Sequence, residues 1–298
     1  VLLFALSLVS ATAQLRAESP PPSHENVAYG PHERNVLDIW LAKSDKPTPL
    51  VIFMHGGGFR RGDKEGVRGR PVIQQCLDAG VSFASINYRF LGHAGLPDIL
   101  RDAGRSIQFL RANAEKWNLD PKRIAIYGSS AGAGTSMWLA FHDDLADSAS
   151  DDPVLRQSSR VMAAGSLDGQ VSYDLREWNK YLGPAPYERT PQERLEFYGF
   201  KSLTEAETPA GDRIMRDCAM IHLISSDDPP VAIACARPDS PPADRGHYLH
   251  HPKHSMALAD ECKQNGVECL LVLDKDMADR EKQAEAVVGF LIEKLKAE

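Results

Sequence analysis

Two short glycine-rich stretches carry residue types suited to nucleophilic attack on an acyl carbon. The first is Gly128-Ser129-Ser130-Ala131-Gly132. A serine hydroxyl is a weak nucleophile unless a base takes its proton and donors hold the oxyanion that follows attack. A Gly-x-Ser-x-Gly run meets the geometric half of that need. Its glycines permit a tight strand-to-helix turn that lifts the hydroxyl of Ser130 above a sheet edge, at a helix N-terminus. The second stretch is His55-Gly56-Gly57-Gly58-Phe59. Residues without side chains let backbone N–H groups approach a developing negative charge. Gly57 and Gly58 are therefore expected to line an oxyanion hole, with the amide of Ala131 as third donor.

The elements around these stretches are expected to position them. Leu50 to Met54 is a wholly apolar run leading into His55, and Arg123 to Tyr127 is another leading into Gly128. Runs apolar on both faces mark strands buried in a parallel sheet. Asn35–Ala42, Val81–Tyr88, Val161–Ala164, Pro230–Ala236 and Val267–Leu273 read as further strands. Helical spacing appears over Pro71–Ala79, Leu96–Trp117, Gly134–Phe141, Lys253–Gln264 and Ala278–Lys296. Strand and helix alternate, which predicts one α/β domain with a doubly wound, mostly parallel sheet over residues 27–298. The stretch Val171–Asp217 breaks the rhythm with four prolines and seven aromatic residues. It is expected to form either a helical lid over the sheet edge or a packing insertion.

With these motifs the chain resembles the α/β-hydrolase superfamily, in its His-Gly-Gly-Gly esterase/lipase branch of hormone-sensitive-lipase-like and feruloyl-esterase-like proteins. The resemblance runs from Asn35 to Glu298 through HGGGFRRGDK (55–64), NYRF (87–90), the stretch 96–132 and DDPPVAIA (227–234). It implies hydrolysis of a small-molecule carboxylic ester through a Ser130 acyl-enzyme, without cofactor or metal. It also implies a triad in the order Ser, Asp, His. Asp239, after the strand ending near Ala236, takes the acid's place, with Asp244 as a weaker substitute. The histidine expected after the last strand is absent: Asp274-Lys275-Asp276-Met277-Ala278-Asp279 stands there, and no histidine follows His254.

His247, His250, His251 and His254 crowd the segment GHYLHHPKH. From that cluster His251, or alternatively His250, is expected to supply the base. Three other readings stay open. The histidines could cap the helix that begins near Lys253. His251 and His254, three apart, could ligate a metal. Asp274 or Asp276 could act as base if its pKa were strongly raised. Without a base the chain would be a non-catalytic homologue that binds a ligand or protein. Asp63 is expected as an ion-pair partner beside the glycine loop, and Tyr88, Arg89 and Asp102 as scaffold.

Composition narrows the partners. The 298 residues carry a formal charge of −7, with no long Lys/Arg run to recruit nucleic acid or an anionic membrane. The opening VLLFALSLV followed by Ala11-Thr12-Ala13 has the layout of a signal peptide, residues 1–13, which predicts a secreted or periplasmic protein. That run is too short to span a bilayer, so no stable membrane insertion is expected. Residues 14–26 read as a Pro-rich linker, extended and exposed. Five cysteines allow one bridge in an exported chain, with Cys262–Cys269 the best local pair. The sequence sets no oligomeric state.

Overall fold

The computed structural model describes residues 19–185, 187 and 189–297, so the signal-like segment 1–13 lies outside the described residues. Eight strands form one sheet: β1 (His24–Ala28), β2 (Val36–Trp40), β3 (Thr48–Met54), β4 (Ser82–Ile86), β5 (Leu119–Ser129), β6 (Ala163–Leu167), β7 (Val231–Cys235) and β8 (Cys269–Leu273). Their order across the sheet is β1-β2-β4-β3-β5-β6-β7-β8. Both pairings of β2 are antiparallel, and every pairing from β4 to β8 is parallel.

The apolar runs fall where the sheet is covered on both faces. β3 lies between β4 and β5, and Leu50, Val51, Ile52 and Met54 have no solvent exposure. One face is covered by helices Leu96–Ala112, Ala131–Phe141 and Pro252–Gln264, the other by Pro71–Asp78 and Arg280–Lys296. In helix Leu96–Ala112, Ile99, Ala103, Ile107 and Leu110 recur at spacings of three and four and are fully buried. Each Leu or Ile so buried stabilises the fold by about 1.5–3 kcal/mol. No described helix is long and apolar enough to cross a membrane.

Several boundaries differ from the sequence expectation. The long helix stops at Ala112 with Asn113 as its cap, and Glu115–Trp117 forms a separate 3-10 turn that ends where Asn118 turns left-handed (φ 52°) and its carbonyl accepts from Thr48 N at 2.9 Å. Residues 24–26, expected as an extended and exposed linker, are extended and exposed but belong to strand β1, which pairs with β2. Residues ahead of it are tethered too: Trp40 Nε1 donates to Pro20 O at 2.7 Å and Gly69 N to Ser19 Oγ at 2.8 Å. The Cys262–Cys269 bridge is not formed. Both thiols are free, and the turn between them is closed by Val267 N donating to Cys262 O at 2.9 Å.

Candidate active site

Ser130 ends the extended run of β5 with φ 53° and ψ −114°, a conformation that costs a residue with a β-carbon of order 1–3 kcal/mol. Neighbouring structure holds it there. Its amide donates to Leu167 O on β6 at 2.8 Å, and its carbonyl accepts from Gly134 N in the buried helix that follows. The flanking glycines serve a different need, close approach. A β-carbon on Gly128 would collide with the backbone of Gly132, and one on Gly132 with the carbonyl of Met54. The elbow is thus wedged between β5 and the end of β3.

That same end of β3 launches the glycine loop. Tyr88 Oη donates to His55 O at 2.5 Å, while the His55 imidazole bonds Gly56 O at 2.7 Å through Nδ1. Burial holds that imidazole below its ordinary pKa, so it braces the loop as a neutral ring. A β-carbon on Gly56 would stand 2.8 Å from Ser129 O, so the loop lies directly against the elbow. Gly57 and Gly58 have φ of 115° and 63°, values that favour glycine. Their amides make no hydrogen bond to any described residue. The amide of Ala131 is the first of its helix, where no intrahelical acceptor exists.

Gly57, Gly58, Ser130, Ala131 and His250 border one cavity of about 740 Å³. His250 follows the short helix Arg245–Leu249, which Asp244 caps through His247 N at 2.7 Å. Its Nδ1 lies 2.9 Å from Asp168 O, a closer contact than Gln170 Nε2 at 3.3 Å, and the carbonyl, which can only accept, favours the tautomer with Nδ1 protonated and Nε2 basic. Burial lowers the His250 pKa, partly opposed by the Asp168 carbonyl and carboxylate, so the ring is neutral near pH 7. Neither Ser130 Oγ nor His250 Nε2 hydrogen-bonds a described residue.

Asp168 escaped the sequence reading. It follows β6, is 3% exposed and has φ 53°. Its Oδ1 accepts from Ala236 N at 3.1 Å beyond β7, and its Oδ2 pairs with Arg280. The signal was present as Leu167-Asp168-Gly169 after a small-residue strand, but β6 is too poor in large apolar residues to announce its end. Arg280 comes from just past β8, the region where the resemblance calls for a histidine.

The other sequence-predicted residues lie elsewhere. His251 is 3% exposed and does not border the cavity. Its Nε2 bonds Ser240 O at 2.9 Å and its Nδ1 accepts from Lys253 N at 3.2 Å, capping helix Pro252–Gln264. Asp239 is mostly exposed, 3.8 Å from His251 Nε2, and is likewise absent from the cavity wall. The structure therefore brings the predicted acid and base near each other but not into the wall of the Ser130 cavity. His254 is fully buried, accepting from Val171 N and bonding Tyr248 O. Both nitrogens of His251 and of His254 are thus engaged by the protein, which leaves no lone pair for a metal. Asp276 caps Leu273 N at 3.2 Å, and neither it nor Asp274 borders the cavity. Asp63 is a cap as well, accepting from Glu65 N and Asn87 Nδ2. The buried ion pair nearby is Lys64–Asp38 at 2.9 Å. Arg89 and Asp102 form a two-pronged scaffold pair.

Part of the irregular stretch Val171–Asp217 builds the cavity's far wall through Tyr173, Trp178 and Phe197. Phe59 of the glycine loop meets Tyr173 and Phe197 edge-on at 5.4 and 6.2 Å. Arg60 closes the same seam with two bonds to Glu196, at 2.6 and 2.7 Å. A second cavity, about 480 Å³, is bordered by Arg194, Tyr198 and Asp212 and shares no residue with the first.

A mostly parallel eight-stranded sheet of this order, with helices on both faces and a serine at a strained turn after β5, is an α/β-hydrolase fold. The chain belongs to the BD-FAE family, whose model matches residues 37–244. Among curated proteins it is similar to Esterase LipC of Mycobacterium tuberculosis, 27% identical over 70% of this chain and 49% of that one. It is also similar to the Probable isoprenylcysteine alpha-carbonyl methylesterase ICMEL1 of Arabidopsis thaliana, 31% identical over 50% of this chain and 31% of that protein. The chain thus spans half or less of the length of these relatives. Among solved structures, a truncated form of a carbohydrate esterase from gut microbiota superposes with a TM-score of 0.72 at 19% identity, covering 94% of this chain and 99% of that one. Esterase Est2 of Thermogutta terrifontis gives 0.65 at 22%, covering 89% and 90%. These two likenesses are of fold.

Proposed function

We propose that this chain hydrolyses small-molecule carboxylic esters through an acyl-enzyme on Ser130. The observation that carries the reading is the convergence on one cavity of a strained serine, unbonded glycine amides and a neutral histidine. Ser130 Oγ attacks the ester carbon while His250 Nε2 takes its proton. The amides of Gly57, Gly58 and Ala131 donate to the oxyanion. His250 then protonates the departing alcohol, and water attacks the acyl-enzyme with the same ring as base. Asp168 is the positioning residue: its carbonyl orients His250, and its carboxylate favours the imidazolium that forms. The relatives' names as esterases and methylesterases support this reaction class. The signal-like start supports action outside the cytoplasm.

A binding-only homologue is the second reading, favoured by the missing hydrogen bond between Ser130 Oγ and His250. A labelled fluorophosphonate separates the two, since it reacts only with an activated serine. Rapid labelling that Ser130→Ala abolishes, together with loss of p-nitrophenyl ester hydrolysis, is the expected outcome. Folded protein that takes no label would refute the enzyme.

A further inference from the structure

The cavity at Ser130 is far more basic than the chain that builds it. The protein carries a formal charge of −7, yet Arg60, Arg61, Arg189, Arg245 and Arg280 all border this one space, against a single acid, Glu193. Three of the five are neutralised. Arg60 is held by Glu196, Arg245 lies 3.6 Å from Glu193, and Arg280 pairs with Asp168. Arg61 and Arg189 make no ion pair within 4 Å with a carboxylate of the described residues, and Arg189 acts on the Glu193 carboxylate only from farther away.

Arg189 is half-buried and held by rings rather than by charge. Its guanidinium carbon lies 4.8 Å from the centre of Trp178 and 5.7 Å from that of Tyr187. Nη2 also reaches Tyr187 Oη at 3.3 Å. Trp178 is itself anchored through Nε1 to Ser172 O at 2.7 Å. A guanidinium packed on aromatic rings keeps its in-plane N–H fork for a planar anion, and its positive charge, drawn partly out of water, is stabilised by one. Nothing in ester hydrolysis itself requires that charge, because the oxyanion is already served by backbone amides.

We propose that the ester taken by this cavity carries a carboxylate of its own, bound by the fork of Arg189 with the exposed Arg61 assisting. The substrate class is then monoesters of dicarboxylic acids or esters of carboxylated alcohols, and not neutral lipids. The inference rests on the hydrolase reading for the bond that is cut, but not for the anion site.

The full chain is assayed on two pairs of esters: 4-nitrophenyl hydrogen glutarate against 4-nitrophenyl pentanoate, and acetylsalicylate against phenyl acetate. The first pair places the carboxylate on the acyl side, the second on the alcohol side. The anionic member of one pair should be favoured at least about tenfold in kcat/KM, the discrimination a charge-assisted fork supplies. The ratio should shrink as ionic strength rises from about 0.02 to about 0.5 M. It should approach one in Arg189→Gln, recover partly in Arg189→Lys, and fall by a smaller factor in Arg61→Gln. Calorimetric titration of Ser130→Ala with glutarate and with neutral glutaramide reads the site without catalysis, and only glutarate should bind.

Neutral esters hydrolysed with no preference for either anion, and no glutarate binding, would overturn the anion site and leave the hydrolase standing. Glutarate binding that depends on Arg189, with none of the four esters cleaved, would support the anion site and sink the hydrolase. Should Arg189→Gln fail to fold, the salt dependence and Arg61→Gln decide, and a preference insensitive to both would overturn the proposal.

Discussion

Replacing His250 and His251 one at a time separates two adjacent residues that the sequence places in the order His251, then His250, as candidate base. His250 borders the cavity of Ser130 with its Nδ1 proton committed to Asp168 O. His250→Ala removes the proposed base and leaves the elbow and the glycine loop untouched. Loss of one triad member typically costs about 10³–10⁶-fold in kcat, so the same range is expected here. His251 is buried, with both nitrogens engaged by Ser240 O and Lys253 N. His251→Ala leaves one carbonyl unpaired and strips a helix of its cap, at a cost of about 1–3 kcal/mol. For a domain of this size each kcal/mol lowers Tm by about 2–4 °C, so a fall of about 2–12 °C is expected. Activity per folded molecule should stay within about threefold, because His251 does not border the cavity. The assay is p-nitrophenyl ester turnover at a temperature where thermal denaturation shows each variant folded. A folded His251→Ala with turnover lost, beside an active His250→Ala, would refute the reasoning and restore the choice made from sequence.

Two further predictions concern stability. Burial pushes the His254 pKa from 6.5 down to about 3. The fold therefore binds the neutral ring, and the unfolded chain takes up a proton first as pH falls. This contribution is complete above about pH 6.5 and lost progressively toward pH 3. From pH 7 to pH 5 the loss should be about 2 kcal/mol, with the depressed pKa values of His250 and His251 adding in the same direction. Urea denaturation at both pH values reads it, and a flat profile would contradict the burial argument. Separately, Gly132→Ala forces a methyl into the carbonyl of Met54. It should leave little soluble folded protein, whereas Gly58→Ala, whose β-carbon meets nothing within 4 Å but would sit at φ 63°, should fold with a penalty of about 1 kcal/mol. Equal melting temperatures for the two variants would show that the elbow is not wedged as described.

Periodicity and motif spacing were enough to read the alternating strands and helices, the elbow at Ser130 and the glycine loop at Gly57 and Gly58. Those features are local: an apolar run buried on both faces, or a glycine forced by close approach, is written within a few residues. The linker boundary was missed because β1 is a short edge strand with only partial burial, so it carries no apolar pattern of its own. Asp168, His250 and Arg280 follow three different strands, β6, β7 and β8, and no local pattern ties them together. Neighbouring histidines at 250 and 251 look alike in sequence, and only the fold puts one on the wall of the serine's cavity and the other in a helix cap. Ser130 was thus determined by the sequence as the residue at the elbow, because a strand, its glycines and a helix are contiguous in the chain. Which imidazole borders its cavity was decided only by the tertiary structure, because the parallel pairing of β5, β6 and β7 sets side by side connections that lie far apart along the chain.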